Sequence, residues 1–486
     1  MFTTLLLKEI QETIYTFRFI ITSLLCLILI PLGLFVSLKD YEQRLIEYRS
    51  SVQKYTEYSK GKIGRNFQAE GYRPPAPLSI FSNGLKSLLP EKVITQNSGN
   101  FEIQNRQERD NPQAVLFGKI DFAFIVSFVL SILALILTFS SITQEKEMGT
   151  IRLVMANSVP RWQILLAKVL GSYLVFLGPF LVSLLIGLII LILSGVINPF
   201  SPEILPNFLG LIFMTLIFLF AMFNLGIFIS TLTRNSLLSM VILLLIWIVF
   251  SLAIPKISPM LAEAIYPLKA REVLDKEIKM IQENYENELR KKEQDLIDQV
   301  LTDKGITQRG GDGMWDILRS ISDVYNQAKA PIQEEVYRRR DLEIAQIEQE
   351  YLNDFNVQMT IGMTLSRISP MSCFTVILSE FSGTGIIELS NFREYSKRFQ
   401  ETVKQEIYDN YTYERYSLRE GSTYSGSSSK EGFNSERIAI PHLSNYRHVT
   451  FLQALKKVWV DILILCLFTI LFFTASFVSF IRYDVR

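Results

Sequence analysis

Residues 141–171 read SITQEKEMGTIRLVMANSVPRWQILLAKVLG. Apolar runs enclose them, FAFIVSFVLSILALILTFS at 122–140 and SYLVFLGPFLVSLLIGLIILIL at 172–193. Each run is about the 20 residues a helix needs to cross roughly 30 Å of hydrocarbon. A charged, glycine-broken segment between two crossings must lie at a membrane face, where water reaches its polar groups.

The whole chain follows this pattern. Of its 486 residues 49% are hydrophobic and 34 are Phe, gathered in blocks rather than spread periodically. The formal charge of +1 excludes the strongly basic character of a nucleic-acid binder. Cys26 and Cys466 fall inside apolar runs and Cys373 stands alone outside them, which offers neither a disulfide framework nor a metal cluster. His442 and His448 read as ordinary surface residues. The first apolar run exceeds a signal-peptide core and no A-x-A site follows it, so it is expected to be retained.

The expected architecture is an all-α membrane protein with six transmembrane helices, at roughly 17–38, 120–142, 166–194, 207–232, 236–255 and 458–481. An even number puts both ends on one side. Lys146, Arg152, Arg161 and Lys168 mark the 143–165 connection, Arg234 the 233–235 turn, and Arg482 and Arg486 the tail at 482–486, while the loop 195–206 has no Lys or Arg. The bias places both termini and the 143–165 loop in the cytoplasm. Lys39, Lys119, Lys456 and Lys457 flank the other side, in long loops where the rule counts less. Residues 1–16 form an amphipathic lead-in helix.

Two polar segments are then extracytoplasmic. The first, 39–119, continues as helix (YEQRLIEYRSSVQKYTEYSK) and turns irregular at RPPAP. The second, 256–457, is long enough for a mainly helical domain, all-α or α+β. Leu274, Ile278, Ile281, Tyr285 and Leu289 recur at helical spacing, and Ile344, Ile347, Tyr351 and Phe355 repeat the pattern after the RGGDG break at 309–313. Two such helices predict an antiparallel hairpin, each arm about 40 Å long at ~1.5 Å per residue. Residues 418–432 are Ser/Gly-rich and read as a loop. Tyr408, Tyr411, Tyr413 and Tyr416 just before it would pack, bind a ligand or rest on the membrane.

In the 143–165 loop, Glu145 and Glu147 lie close to the membrane exit, Gly149 turns the backbone, and Thr150 is placed to cap a new helix. Ile151, Leu153, Val154 and Met155 give that helix an apolar surface before Pro160 breaks it. Such a helix either rests in the lipid interface or docks in a partner's groove. Its carboxylates favour a partner with basic groups.

At this point the segment resembles the loop signature of ABC type-2 transporter permeases, here those of bacteria. Glu145, Glu147, Gly149, Thr150, Pro160, Arg161, Lys168 and Gly171 fall on matching positions, with Ile151 where Leu is usual and Ala167 where Gly is common. The lead-in MFTTLLLKEIQETIYTFRF, centred on Lys8 and Glu9, resembles that family too. ISPMSCFTVILSEFSGTG at 368–385 is similar to a pattern of permeases with a large insertion between spans five and six. The resemblance implies that the loop is the coupling helix, with Arg152 among its residues, seated in a cleft of a separate ATP-hydrolysing subunit. It implies two copies of that ABC ATPase, a second permease chain, identical or homologous, and residence in the bacterial cytoplasmic membrane. ATP and Mg would be bound by the ATPase.

This chain itself carries no G-x-x-x-x-G-K-[ST] loop, since Gly61-Lys62 is followed by Ile63, and no catalytic constellation. It is expected to be no enzyme and to hold no cofactor or metal. Charges inside spans are costly and usually have a task. Asp121 and Asp461, near the outer ends of spans two and six, either line an export path or anchor at a wetted interface. Asn224, mid-span, would bond a neighbouring helix or line the path. Pro31 and Pro179 would kink their spans. A path without buried charge suits an apolar, amphipathic or polymeric cargo.

Three functions follow. The first is the permease subunit of an ATP-driven exporter, its outer domain receiving cargo or docking an envelope protein. The second is an ATPase-coupled device that sends force or a signal across the membrane without moving cargo. The third, a scaffold without ATPase, leaves the 145–171 pattern unexplained.

Overall fold

A computed structural model describes residues 2–59, 68–96, 101–104, 120–151, 159–303, 314–420 and 446–482. The apolar runs are helical, as backbone groups in hydrocarbon require. The lead-in α1 (Phe2–Ile14) precedes α2 (Phe17–Ser59), which runs on through Pro31. Span two is α3 (122–138), whose middle, Ile125–Leu130, is π-helical. After the short α4 (Thr143–Glu147) come α5 (Arg161–Leu193), α6 (Leu205–Leu232) and α7 (Ser236–Ile248), which passes into a π-helical stretch at Val249–Ala253.

Among the described residues, seven stretches are long and apolar enough to cross a membrane, one more than expected. The extra one, Pro370–Val403, is not a single helix. It comprises α11 (Pro370–Phe381) and the start of α12 (Ile386–Glu420), parted by a turn at Gly383 with φ +67°. Twelve residues of α11 measure about 18 Å, short of the hydrocarbon thickness. Its sides are buried all the same, and Cys373 with them. The last helix, α13 (Phe451–Ile481), opens with a capping box between Thr450 and Gln453.

The chain divides into two units, Met1–Ile254 with Arg367–Arg486, and Pro255–Ser366. In the first, α6 is among the most buried helices. Phe208, Phe218 and Phe223 on it are buried, and the Phe218 ring stacks on Phe374 of α11 at 4.3 Å. Gly226 lets α3 approach so closely that a Cβ there would lie 1.8 Å from Thr138 Oγ1.

The segment after α2 differs from the irregular chain expected. It folds as an antiparallel meander of β1 (Gln68–Tyr72), β2 (Lys92–Gln96) and β3 (Phe101–Gln104), with Gly71 opposite Val93 and Val93 opposite Ile103. Ala69 and Val93 pack against Phe399 and Val403 of α12. Strands of four and five residues leave too little alternation to be read without that partner.

In the second unit, α8 (Ile254–Ile265) leads to α9 (Arg271–Asp303) and α10 (Met314–Ser366). The last two run antiparallel, as Tyr285 bonds Glu343, Arg339 pairs with Glu288, and Lys329 pairs with Glu293. Leu274, Ile281 and Leu289 are buried along the seam with Val336.

Candidate functional site

The residues of the 145–171 pattern gather at one end of the first unit, and hydrogen bonds show how. Lys168, on the first turns of α5, is 2% exposed. Its Nζ lies 2.8 Å from Glu145 Oε1 and 2.9 Å from Glu9 Oε1. One buried ammonium thus binds a carboxylate from α4 and another from α1. Burial pushes the Glu9 carboxyl up, against the downward pull of the Lys168 ammonium.

Gly171 lies one turn on, on the same face of α5 as Lys168. A Cβ at Gly171 would meet Glu9 Cβ at 2.9 Å. The Lys-x-x-Gly spacing therefore has a local meaning: the lysine holds α1 and the glycine makes room for it.

The neighbouring residues fasten the same segment to α6. Lys146 Nζ donates to the carbonyls of Thr231 and, at 3.1 Å, Thr233, capping the end of α6. The amides of Ile142 and Thr143 donate to Ser230 Oγ at 3.0 and 3.1 Å. Glu147 accepts from the Ser236 amide at 2.8 Å and from its hydroxyl at 2.7 Å, at the start of α7. A carboxylate there also meets the positive end of the helix dipole. Arg161 Nη1 donates to the Ile481 carbonyl at the end of α13. Pro160 is the N-cap of α5. Arg18 bonds Ser140 and covers the Phe139 ring at 4.4 Å.

Both carboxylates expected to face a partner are therefore taken up by the chain's own groups. Among the described residues at this end, Met148, 66% exposed, and Trp162 stand outward beside the exposed polar groups Gln144, Glu147 and Arg234. Gly149 takes φ +71°, a conformation that calls for glycine, and no described residue lies within 4 Å of its Cβ position. Thr150 departs from the expected forward cap. Its hydroxyl reaches back to the Glu145 carbonyl at 3.4 Å, closing α4. Arg152 and the apolar positions 153–155 lie outside the described residues.

The opposite end corrects the other expectations. Asp121 is 6% exposed and caps α3, accepting from the Phe124 amide at 2.7 Å and the Asn83 amide at 2.6 Å. Asp461 is 1% exposed and takes a two-pronged bond from Arg367, Nε to Oδ1 at 2.7 Å and Nη2 to Oδ2 at 3.0 Å. Neither is a wetted anchor. Asn224 bonds its own helix, donating to the Phe220 carbonyl at 2.9 Å, rather than a neighbour. His448 is not an ordinary surface residue. It meets the fully buried Glu388 at 2.8 Å, where Tyr446 also donates at 2.9 Å and Arg73 approaches to 3.4 Å. His442 and the Ser/Gly-rich loop from 421 on lie outside the described residues, as do the side chains of the four tyrosines at 408–416.

Among the described residues no group of His, Cys, Asp and Glu could hold a metal ion. Glu388 and Arg367 were missed in the sequence because their partners are distant. Lys168 carried a readable signal, since a lysine entering an apolar run needs a partner.

A family model described as ABC-2 family transporter protein matches residues 3–485. Over 110 residues the chain is 32% identical to the "Probable multidrug ABC transporter permease YbhS" of Escherichia coli strain K12, and equally to its counterpart in Escherichia coli O157:H7. The matched stretch is 23% of this chain and 27% of each relative, so it spans about a quarter of those curated proteins. No solved structure matches.

Proposed function

The chain belongs to the ABC-2 transporter family, and on that premise we propose that it is the membrane subunit of an ATP-driven exporter. A separate ATPase drives it through the end of the bundle that carries Lys168. One observation supports this above the rest: Lys168 joins Glu9 and Glu145, so α1, the elbow at 143–151 and the start of α5 move as one piece. A push on the elbow then reaches α5 directly, and reaches α6 through Lys146 and α7 through Glu147.

The docking surface includes the exposed Met148 and Trp162. Glu145 positions that surface from behind through Lys168, and Glu147 from its exposed edge through Ser236. Two copies of the chain, or this chain and a homologue, form the pathway with two ATPases, each binding ATP and Mg. ATP moves the assembly only through its different affinity for the two states of the membrane subunits. Six helices cross the bacterial inner membrane in this reading, with both termini cytoplasmic and α11 entering without crossing.

A cargo with apolar or amphipathic character fits the aromatic interior, and the multidrug label on the relatives points the same way. Asp121 and Asp461 are structural here, outside the path. Asn224 Oδ1, buried without a partner, is the polar group best placed to meet cargo. The alternative, force transmission to the unit Pro255–Ser366 without cargo, draws on its paired helices of 33 and 53 residues.

Thiol labelling tests the topology. With Cys26, Cys373 and Cys466 replaced by serine, a Met148→Cys chain is expected to react with a membrane-impermeant maleimide in inside-out vesicles only. Reaction in right-side-out vesicles would overturn the proposal. Removal of residues 255–366 that spares ATP-dependent efflux would set the force-transmission reading aside.

A further inference from the structure

Two helices of the bundle lose α geometry part-way along, α3 over Ile125–Leu130 and α7 over Val249–Ala253. A π-helical stretch holds an extra residue and bonds each carbonyl to the amide five residues on, as Val126 does to Ser131, so a carbonyl is released where α geometry resumes. In hydrocarbon such groups must find another partner. A serine serves each stretch. The Ser131 hydroxyl reaches the carbonyls of Ser127 and, at 3.1 Å, Phe128. Ser369 donates to the Phe250 carbonyl at 2.7 Å.

The two stretches are also tied together. Trp247 Nε1 donates to Ser131 Oγ at 2.9 Å, and the indole meets the Phe128 ring edge-on at 6.1 Å. The short helix α11 packs against both. Beside this junction stand two hydroxyls with no hydrogen-bond partner among the described residues, Ser251 in the second stretch, 3% exposed, and Ser372 in the first turn of α11, 7% exposed. A buried hydroxyl without a partner lowers stability, and alanine would remove that cost. A second arrangement in which both are bonded would remove that cost.

We propose that 125–131 and 247–253 form a joint of the transport cycle, latched by the Trp247 indole on the Ser131 hydroxyl. When the latch opens, the π stretches return to α geometry and Ser251 and Ser372 gain partners. Loss of one bulge turns the helix beyond it by about 100° and pushes it out by about 1.5 Å. Trp247 and Ser131 are positioning residues; neither needs to touch cargo. The joint rests on the reading of the chain as a transporter subunit with two states.

Hydrogen exchange on the full chain in lipid nanodiscs tests the latch without any cargo. Trp247→Phe keeps a ring and loses the donor. It is expected to speed exchange at 125–131, on the other helix, about fivefold, the effect of one lost hydrogen bond. Ser131→Ala should match it and Ser131→Thr should not. Ser251→Ala and Ser372→Ala should raise the unfolding temperature by about 1–2 °C. In the complex with its ATPase, trapping with ATP and vanadate should change exchange in both stretches together while the middle of α6 holds still. Unchanged exchange at 125–131 in Trp247→Phe overturns the latch, lower unfolding temperatures in the alanine variants overturn the role of the two hydroxyls, and no change on trapping overturns the joint. A chain that binds no ATPase at all strikes the functional reading instead and leaves the latch measurement standing.

Discussion

Lys168 Nζ sits 2.8 Å from Glu145 Oε1, with 23 residues of chain and a change of direction between them. Glu9 meets the same nitrogen at 2.9 Å from a third helix. A buried ammonium between two carboxylates is costly to desolvate, and the arrangement persists because each charge has its partner.

Removing the lysine alone should therefore be severe. Lys168→Met leaves two carboxylates facing each other and is expected to cost about 3–5 kcal/mol. The triple change Glu9→Gln, Lys168→Met, Glu145→Gln should recover most of that loss in thermal unfolding. It should not recover ATP-stimulated efflux, because nothing then holds α1 and the elbow as one piece.

Gly171→Val tests the space the glycine makes. The new side chain begins 2.9 Å from Glu9 Cβ, with the α1 backbone at 3.7 Å behind it. Overpacking of this kind costs about 1–3 kcal/mol. We expect α1 to be displaced, seen as faster proteolysis within residues 2–16, with α5 still helical.

At Gly149 the expectation is different, since no atom of the described residues lies near its Cβ position. Gly149→Ala is strained only through its positive φ, at about 1–2 kcal/mol. Unfolding temperature should fall little. Coupling between ATP hydrolysis and transport should fall more, because the elbow turns differently at this position.

The Asp461–Arg367 pair separates a structural role from a place on the path. Asp461→Asn is expected to destabilise by about 3–5 kcal/mol, since the Arg367 guanidinium loses its carboxylate. Asp461→Leu with Arg367→Met should restore stability and, if the pair is structural, efflux as well. Restored stability without efflux would return Asp461 to the cargo path.

The helices and the elbow were legible in the sequence because apolar length and a glycine among charges are local signals. Lys168 was legible as a cationic marker, although its role as a clamp was not, since Glu9 lies 159 positions away. The same distance rule hid Arg367 from Asp461 and Glu388 from His448, at separations of 94 and 60. The strands Gln68–Tyr72 and Lys92–Gln96 were hidden for another reason. Their buried face is completed by Phe399 and Val403, so neither strand shows a full pattern alone. The π stretches leave no mark in composition at all, as both read as ordinary apolar helix.

The most direct measurement is a photo-crosslinker placed at Met148 on the full chain in native membranes. The account expects an adduct with an ABC ATPase, identified by mass, and none from the same crosslinker at Phe200, in the loop at the other end of α5. An ATPase adduct from Phe200 with none from Met148 would contradict it.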